Sequence, residues 1–350
     1  MQDRKKTREL KVPGSGRKLA ARTAPTNAVR DHVRRADDIG VSPFVFARHE
    51  TFHPRFGWIK KGYDAALKDP SIFLQDDAPV VLGVGKNMVR AIRYWCVAFK
   101  VLTEREGSSR NSHGLVPTEF GSSLLPDGGM DPHLEDPGSL WLLHWKLLSH
   151  PCWASAWQFS FGLFPRLEFT ADDLAGGLEE WLAREAPASR VVPSSLRKDV
   201  NCIIRMYAEV AHGPVVDEDS IHCPFVELGL IRQLPGQKRT YAFNVGAKQG
   251  LSSDLVTAMS LEFAANLSTS AKTISISRLL REPHSPGVLL KLNESTLYEA
   301  LEDAAVVDPR IRLSDTAGLV QLAFTEDPQA LSRAFVKRHY KGNVRRRIVA

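Results

Sequence analysis

The sequence predicts a mainly α fold with small β-hairpins, an α+β protein in which winged-helix or helix-turn-helix units are joined by helical segments. Three observations carry this. The C-terminal part runs helix, Pro/Gly break, helix, then two short alternating stretches around an Asp-Thr-Ala-Gly turn, across "TISISRLLREPHSPGVLLKLNESTLYEALEDAA" and "IRLSDTAGLVQLAF". Residues 81–125 repeat that order more loosely. Between them the apolar pattern is helical, with no repeat or heptad array. With 43% hydrophobic and 25% charged residues in 350, the chain can bury a sizeable core in two or three domains.

Taken in order, residues 1–40 are punctuated by Gly, Pro, Ser and Thr and read as a disordered basic arm, holding eleven Lys/Arg against five Asp/Glu. "FVFARHETFHPRFGWIKKGYDAAL" (44–67) begins strand-like and ends helical. "SIFLQDDAPVVLG" leads into a helix opened by Gly83 and Gly85. After a polar loop, "GLVPTEFGSSLL" reads as a strand, a turn at Pro117 and a short helix from Thr118. The Trp-rich stretch "LWLLHWKLLSHPCWASAWQFSFGLF" (140–164) is broken by His144, Lys146, His150 and Pro151, so it reads as two buried helices, not a membrane span. Helices are expected at about 171–186 and 195–211, and "HCPFVELGLIRQLPGQKRTYAFN" reads as a helical turn and a hairpin bent at Gly236. The second helix of the C-terminal unit is capped by Asn293. The resulting domains are the arm (1–40), an N-terminal DNA-interacting domain with a winged-helix-like unit (41–165), a helical middle domain (166–262), a C-terminal winged-helix domain (263–330) and a basic tail (331–350).

The net charge of +6 is unevenly spread. Residues 331–350 hold seven Lys/Arg and no carboxylate, the arm is net +6, and 41–330 is therefore net −7. Basic ends on a folded body suit salt-sensitive contacts with a polyanion, and also serve as plain solubilising segments. No secretory leader opens the sequence, and Cys96, Cys152, Cys202 and Cys223 lack CxxC spacing, which fits reduced thiols in a cytoplasm. A zinc site from Cys202, His212, His222 and Cys223 matches no standard ligand spacing.

The stretch "VLGVGKNMVRAIRYWCVAFKVL" (81–102) tests a nucleotide cradle. A phosphate loop needs Gly where Val80 stands and a hydroxyl where Asn87 stands, and Met88 takes the place of the third dinucleotide-binding glycine, so neither cradle fits. As a helix it places Val89, Ile92, Cys96 and Phe99 on one face and Lys86, Arg90, Arg93 and Lys100 on another, with Lys86 and Asn87 at a free N-terminus suited to an anion. That stripe suits a nucleic-acid backbone, and equally a solvated face.

Residues 48–61 interleave Arg48, His49, Glu50, His53, Arg55, Lys60 and Lys61 with Phe52, Phe56 and Trp58, a mixture suited to stacking and phosphate pairing. His49 and Glu50 have the chemistry of a base and a metal ligand for phosphodiester cleavage, with Asp199 completing an acidic site. The same residues suit an ion-pair network over packed aromatics. Arg345, Arg346 and Arg347 complete the candidate DNA contacts. "HWK" at 144–146 lacks the aspartate of a phospholipase-type pair, and no nuclease, hydrolase-elbow or zincin motif stands out.

At "RHETFHPRFGWIKKGYD", "LGVGKNMVRAIRYW", "DPHLEDPGSLWLLHWKLLS", "CPFVELGLI" and "SPGVLLKLNESTLYEALE", the chain resembles a family formerly labelled a domain of unknown function and encoded with bacterial DNA phosphorothioation systems. The likeness runs from about residue 41 to about 325 and is nearest to the DNA-nicking B component of the single-strand systems. It implies a DNA-nicking endonuclease acting in phosphorothioate modification and antiphage defence. Its implied partners are double-stranded DNA and the other phosphorothioation-system proteins, with a divalent metal (Mg²⁺ or Mn²⁺) as cofactor. Glu50 is the candidate metal ligand. The alternative is a non-enzymatic winged-helix adaptor that recruits other components to DNA.

Overall fold

The computed structural model describes residues 44–105, 114–208, 223–236, 239–268, 270, 272–316 and 318–349. The predicted arm at 1–40 lies outside the described residues, as do His212 and His222.

The chain enters through an irregular segment, 44–57, and turns into α1 (Trp58–Lys68). No strand forms where 44–47 looked strand-like, because Ala47, Glu50 and Thr51 all take positive φ and curl the backbone. α1 buries Trp58, Ile59, Gly62, Tyr63 and Ala66, an apolar helical stripe. A Cβ on Gly62 would lie 2.5 Å from the Cys96 sulfur, so this glycine sets the approach of α1 to α3. α2 (Ala78–Leu82) ends at Gly83 in the left-handed region, and α3 (Lys86–Ala98) follows. β1 (Leu102–Glu104) and β2 (Leu115–Pro117) form a two-stranded hairpin, and Thr118 caps α4 (Glu119–Leu124) by accepting from the Gly121 N–H.

The Trp-rich stretch forms α5 (Pro137–Leu148) and α6 (Ser155–Gly162), both at the centre of the core. Two of its polar interruptions, His144 and Lys146, are satisfied inside the protein, while His150 is exposed. His144 bonds the Tyr207 hydroxyl at 2.8 Å and the Leu289 carbonyl at 3.1 Å, and Lys146 pairs with Glu262 at 2.8 Å. Burial holds the His144 imidazole well below its ordinary value, at about 4, and hence neutral. Among the described residues no helix is long and apolar enough to cross a membrane.

Two three-stranded units follow the same path. In the middle unit α6 leads to β3 (Glu168–Thr170), α7 (Ala171–Glu185), α8 (Pro193–Tyr207), β4 (Ile231–Gln233) and β5 (Thr240–Phe243), with antiparallel strand order β3-β5-β4. In the C-terminal unit α9 (Ser253–Leu267) leads to β6 (Thr273–Ser275), α10 (Ile276–Arg281), α11 (Pro286–Leu289), α12 (Glu294–Val307), β7 (Ile311–Thr316) and β8 (Leu319–Phe324), order β6-β8-β7. The second complete copy of the pattern thus lies at 155–243, in the segment expected to be helical with one hairpin, while 81–125 has helices and a two-stranded hairpin only. β3 is three residues long, too short to display alternation, and only its pairing with β5 reveals it.

The basic C-terminal segment is helical through residue 349: α13 (Pro328–Val349) buries Leu331, Phe335 and Tyr340. The Tyr340 hydroxyl meets Ser139 Oγ at 2.7 Å, and Arg338 pairs with Asp254 and Asp308. The described residues from Phe44 onward belong to one compact unit, with one large core cluster and a small second one of Ala78, Leu82 and Val89.

Candidate nucleic-acid interface and nicking centre

The loop that follows Phe46 carries the candidate chemistry. Ala47 (φ 54°), Glu50 (φ 49°) and Thr51 (φ 69°) are non-glycine residues in the left-handed region, each costing on the order of 1 kcal/mol. Such a loop persists only where its surroundings hold it, and here two helices do. From α8, Asp199 accepts the Ala47 N–H at 2.9 and 3.1 Å and the His49 Nε2–H at 2.7 Å, and Arg205 Nη2 donates to the Thr51 carbonyl at 2.8 Å. From α3, Trp95 Nε1 donates to the Phe52 carbonyl at 3.0 Å and Arg90 lies 3.8 Å from the Glu50 carboxylate. α3 and α8 therefore meet across one six-residue loop, 47–52.

His49 and Asp199 come together as an acidic site would need, yet both are sealed, at 0% and 1% exposure. The imidazole stacks on Trp95 at 6.1 Å between centroids and meets the edge of Trp157 at 5.6 Å, and its Nδ1 has no hydrogen-bond partner among the described residues. Burial raises the Asp199 carboxyl above the usual range, against the opposing bonds from His49 and Ala47. Glu50, next in sequence, keeps 34% of its side chain in solvent. Of the three candidate reactive residues, Glu50 is thus the one a substrate can touch directly.

The candidate DNA contacts divide into exposed groups, of which Arg90 faces Glu50, and groups committed to other partners. Arg48, Lys86, Asn87 and Arg90 are exposed, and α3 starts at Gly85 without a side-chain cap, which leaves its first N–H groups open. Arg93 reaches Glu104 at 3.2 Å. Arg55 is half-buried with its guanidinium 5.4 Å from the Trp58 ring centroid and 5.8 Å from that of Phe52. Lys60 pairs with Asp64 and Asp127, and Lys61 caps α2 by donating to the Leu82 carbonyl at 2.9 Å. Lys100, placed on the cation stripe by its spacing, lies past the end of α3 at φ 57° and turns inward to the Lys146 and Ser149 carbonyls and Ser149 Oγ. The side chains of Arg345, Arg346 and Arg347 lie outside the described residues.

The sequence reading placed none of the exposed residues of α8 among the DNA contacts. Ser194, Arg197, Lys198, Asn201 and Arg205 are all exposed, while Leu196, Asp199, Val200, Ile203 and Met206 are buried. The spacing of the exposed five was a visible signal, but without β3 the helix had no place in a unit.

Among the described residues no three His, Cys, Asp or Glu side chains converge into a metal-ligand group. Both Asp199 oxygens accept protein N–H groups. Of the three candidate residues, Glu50 keeps a solvent-facing carboxylate, which fits the arrangement in which magnesium is held by one carboxylate together with substrate phosphate oxygens. All four cysteines are free, and burial raises the thiols of Cys96, Cys152, Cys202 and Cys223, which suppresses the reactive thiolate.

The family model described as "Protein of unknown function (DUF4007)" matches residues 46–340. The chain belongs to that family. Two solved structures are similar to it over most of its length. One is described as "SspB crystal structure", with 40% identity over 85% of this chain and 88% of that one and a TM-score of 0.80. The other is described as "Magnesium ion-bound SspB crystal structure", with 39% identity, the same coverage and a TM-score of 0.80. No curated protein matches.

Proposed function

We propose that this protein is a cytoplasmic DNA-binding component of a bacterial phosphorothioation system and nicks duplex DNA with the aid of a divalent metal. The observation that carries the reading is the meeting of two cation-bearing helices on the strained loop that presents Glu50. Arg48 and Arg90 on one side and Arg205 on the other make a surface able to hold a phosphate backbone beside that carboxylate. The likeness to the SspB structures, one of them magnesium-bound, supports the place in the system and the metal. The two three-stranded units, as winged helices, supply the DNA-binding and partner-docking surfaces.

Glu50 acts at the phosphate, as metal ligand or as acceptor of a proton from attacking water. The metal, Mg²⁺ or Mn²⁺, supplies charge neutralisation at the phosphate when bound. The buried His49–Asp199 pair acts by position: it anchors Ala47 and His49 to α8, which fixes where Glu50 projects. Arg48, Arg55, Lys60, Lys61, Lys86, Asn87, Arg90 and Arg93, with Arg345, Arg346 and Arg347, form the backbone contacts, those already paired in the free protein exchanging partners for phosphate.

Supercoiled plasmid incubated with the protein and magnesium or manganese is expected to relax to open circle. Glu50→Ala should abolish nicking with DNA binding retained. Plasmid left supercoiled by the wild type, alone and with its partner proteins present, would remove the enzymatic claim. The adaptor reading has its own support, the sealing of His49 and Asp199 from solvent. It gives tight, salt-sensitive binding and no cut.

A further inference from the structure

The geometry points to the outer face of α8 as a surface that enters the major groove of duplex DNA, with Asn201 reading a base edge there. This rests on the DNA-binding reading above and adds sequence discrimination, which that reading does not contain. Four observations converge on it.

The first is charge placement. Residues 115–230 hold seven Lys/Arg against seventeen Asp/Glu, yet three of those seven, Arg197, Lys198 and Arg205, stand exposed on this one helix. The single carboxylate of α8, Asp199, is turned inward to His49. A solvated face in an acidic region would share the regional sign. This one opposes it.

The second is the wing. β4 and β5 pair beside α8, and Arg232 and Arg239 on that hairpin are exposed. Cations on helix and hairpin together fit a helix laid in a groove about 12 Å wide with flanking phosphates held at its rim.

The third is Asn201 itself. It lies mid-stripe, four residues from Arg197 and from Arg205, and makes no side-chain hydrogen bond among the described residues. Its amide is a donor and an acceptor at fixed separation, the pattern that pairs with N6 and N7 of adenine. Arg197 bonds Asp172 at 2.7 Å and Arg205 bonds the Thr51 carbonyl, so both ends of the stripe are already oriented by neighbours. Lys198 forms no ion pair among the described residues and is available for a phosphate or a guanine.

The fourth is the control built into the chain. α12 occupies the same place in the C-terminal unit and exposes Glu294, Glu299, Glu302 and Asp303. The fold does not require a cationic helix before its hairpin, so the cations of α8 are a property of this surface.

The test is a selection of random-centre duplexes by the full-length protein at about 100 mM salt, with bound sequences counted. Wild type should enrich a short motif containing adenine. Asn201→Ala, an exposed change that leaves the core intact, should flatten enrichment at one position by about tenfold or more while total DNA bound falls only slightly. Arg232→Gln with Arg239→Gln should weaken all sequences alike and lower the salt slope by about two. Wild type that binds with no sequence preference, or Asn201→Ala with unchanged enrichment, would overturn the base-reading role and leave DNA binding standing. Wild type that binds no duplex at all would overturn both.

Discussion

The middle and C-terminal units share one chain path, apart from the short extra helix α11, and differ in what the helices before their hairpins show to solvent and in how those helices are held. α8 exposes Arg197, Lys198 and Arg205, and is locked to the rest of the protein by a fully buried His49–Asp199 pair. α12 exposes four carboxylates with Val306 and Val307, and is held at its ends. Asn293 caps the start by accepting the Thr296 N–H, while Asp308 at the finish pairs with Arg310 at 2.8 Å and Arg338 at 3.4 Å. Both inward faces are buried at helical spacing, Leu196, Val200 and Ile203 on α8 and Leu297, Ala300, Leu301 and Ala304 on α12, because that burial builds the unit. The outward faces carry no such constraint and diverge. One fold thus presents a surface suited to a polyanion and a surface that repels one.

The contrast can be broken most forcefully at the buried pair. His49→Ala or Asp199→Ala should lower unfolding free energy by about 3–5 kcal/mol, because each breaks the buried pair, Asp199 keeping only its bonds from Ala47 and His49 keeping none. Asp308→Ala should cost less, about 2 kcal/mol, because its carboxylate is buried but its arginine partners, 38% and 29% exposed, can turn to solvent when it is lost. Urea denaturation gives both values, and equal losses would erase the proposed difference in anchoring.

Charge is the next lever. Arg197→Glu with Lys198→Glu should weaken duplex binding about a hundredfold at about 100 mM salt, since repulsion replaces contact. Glu299→Lys with Glu302→Lys on α12 should leave binding unchanged or strengthen it. Fluorescence anisotropy with one labelled duplex reads both. A loss from the α12 variant as large as that from α8 would reverse the assignment of the two faces.

The smallest effect lies where the two units join. Lys291, just before α12, donates to the Phe161 carbonyl at 2.7 Å and sits 4.4 Å from the Phe243 ring centroid, both in the middle unit. Burial, with Lys248 adding repulsion, brings its ammonium down to about 8. An unfolded lysine keeps its proton to about 10.4, so between pH about 8 and about 10 the unfolded chain binds more protons and this residue makes stability rise with pH. Below pH about 8 that contribution is gone. The stability of wild type relative to Lys291→Met should therefore rise from pH 8 to 9, and a flat relative stability would count against the buried ammonium.

Much of this was legible in the residues. The glycine break before Lys86, the Thr118 and Asn293 caps and the Trp-rich pair have local causes, and local causes are written in neighbouring residues. His49, Glu50 and Asp199 were singled out by their chemistry, and the structure joins the outer two at 2.7 Å. Their burial was not legible, because exposure depends on Trp95 and Trp157, distant in sequence and stacked around the ring. Lys100 shows the same limit. Its spacing fits the cation stripe, but one left-handed residue after the helix turns it into the carbonyls that end α5.

The sequence by itself determined the helical character of the chain, its caps and breaks, its family and the uneven charge, since each depends on residue identity within a few positions or on composition. Tertiary structure alone decided that a three-residue strand completes a second unit, that a histidine and an aspartate 150 positions apart share a proton-bearing contact, and that α3 and α8 meet across the Glu50 loop. The reason is physical: helix periodicity is a short-range property of the backbone, whereas strand pairing, burial and the juxtaposition of charges arise only when distant segments close on one core.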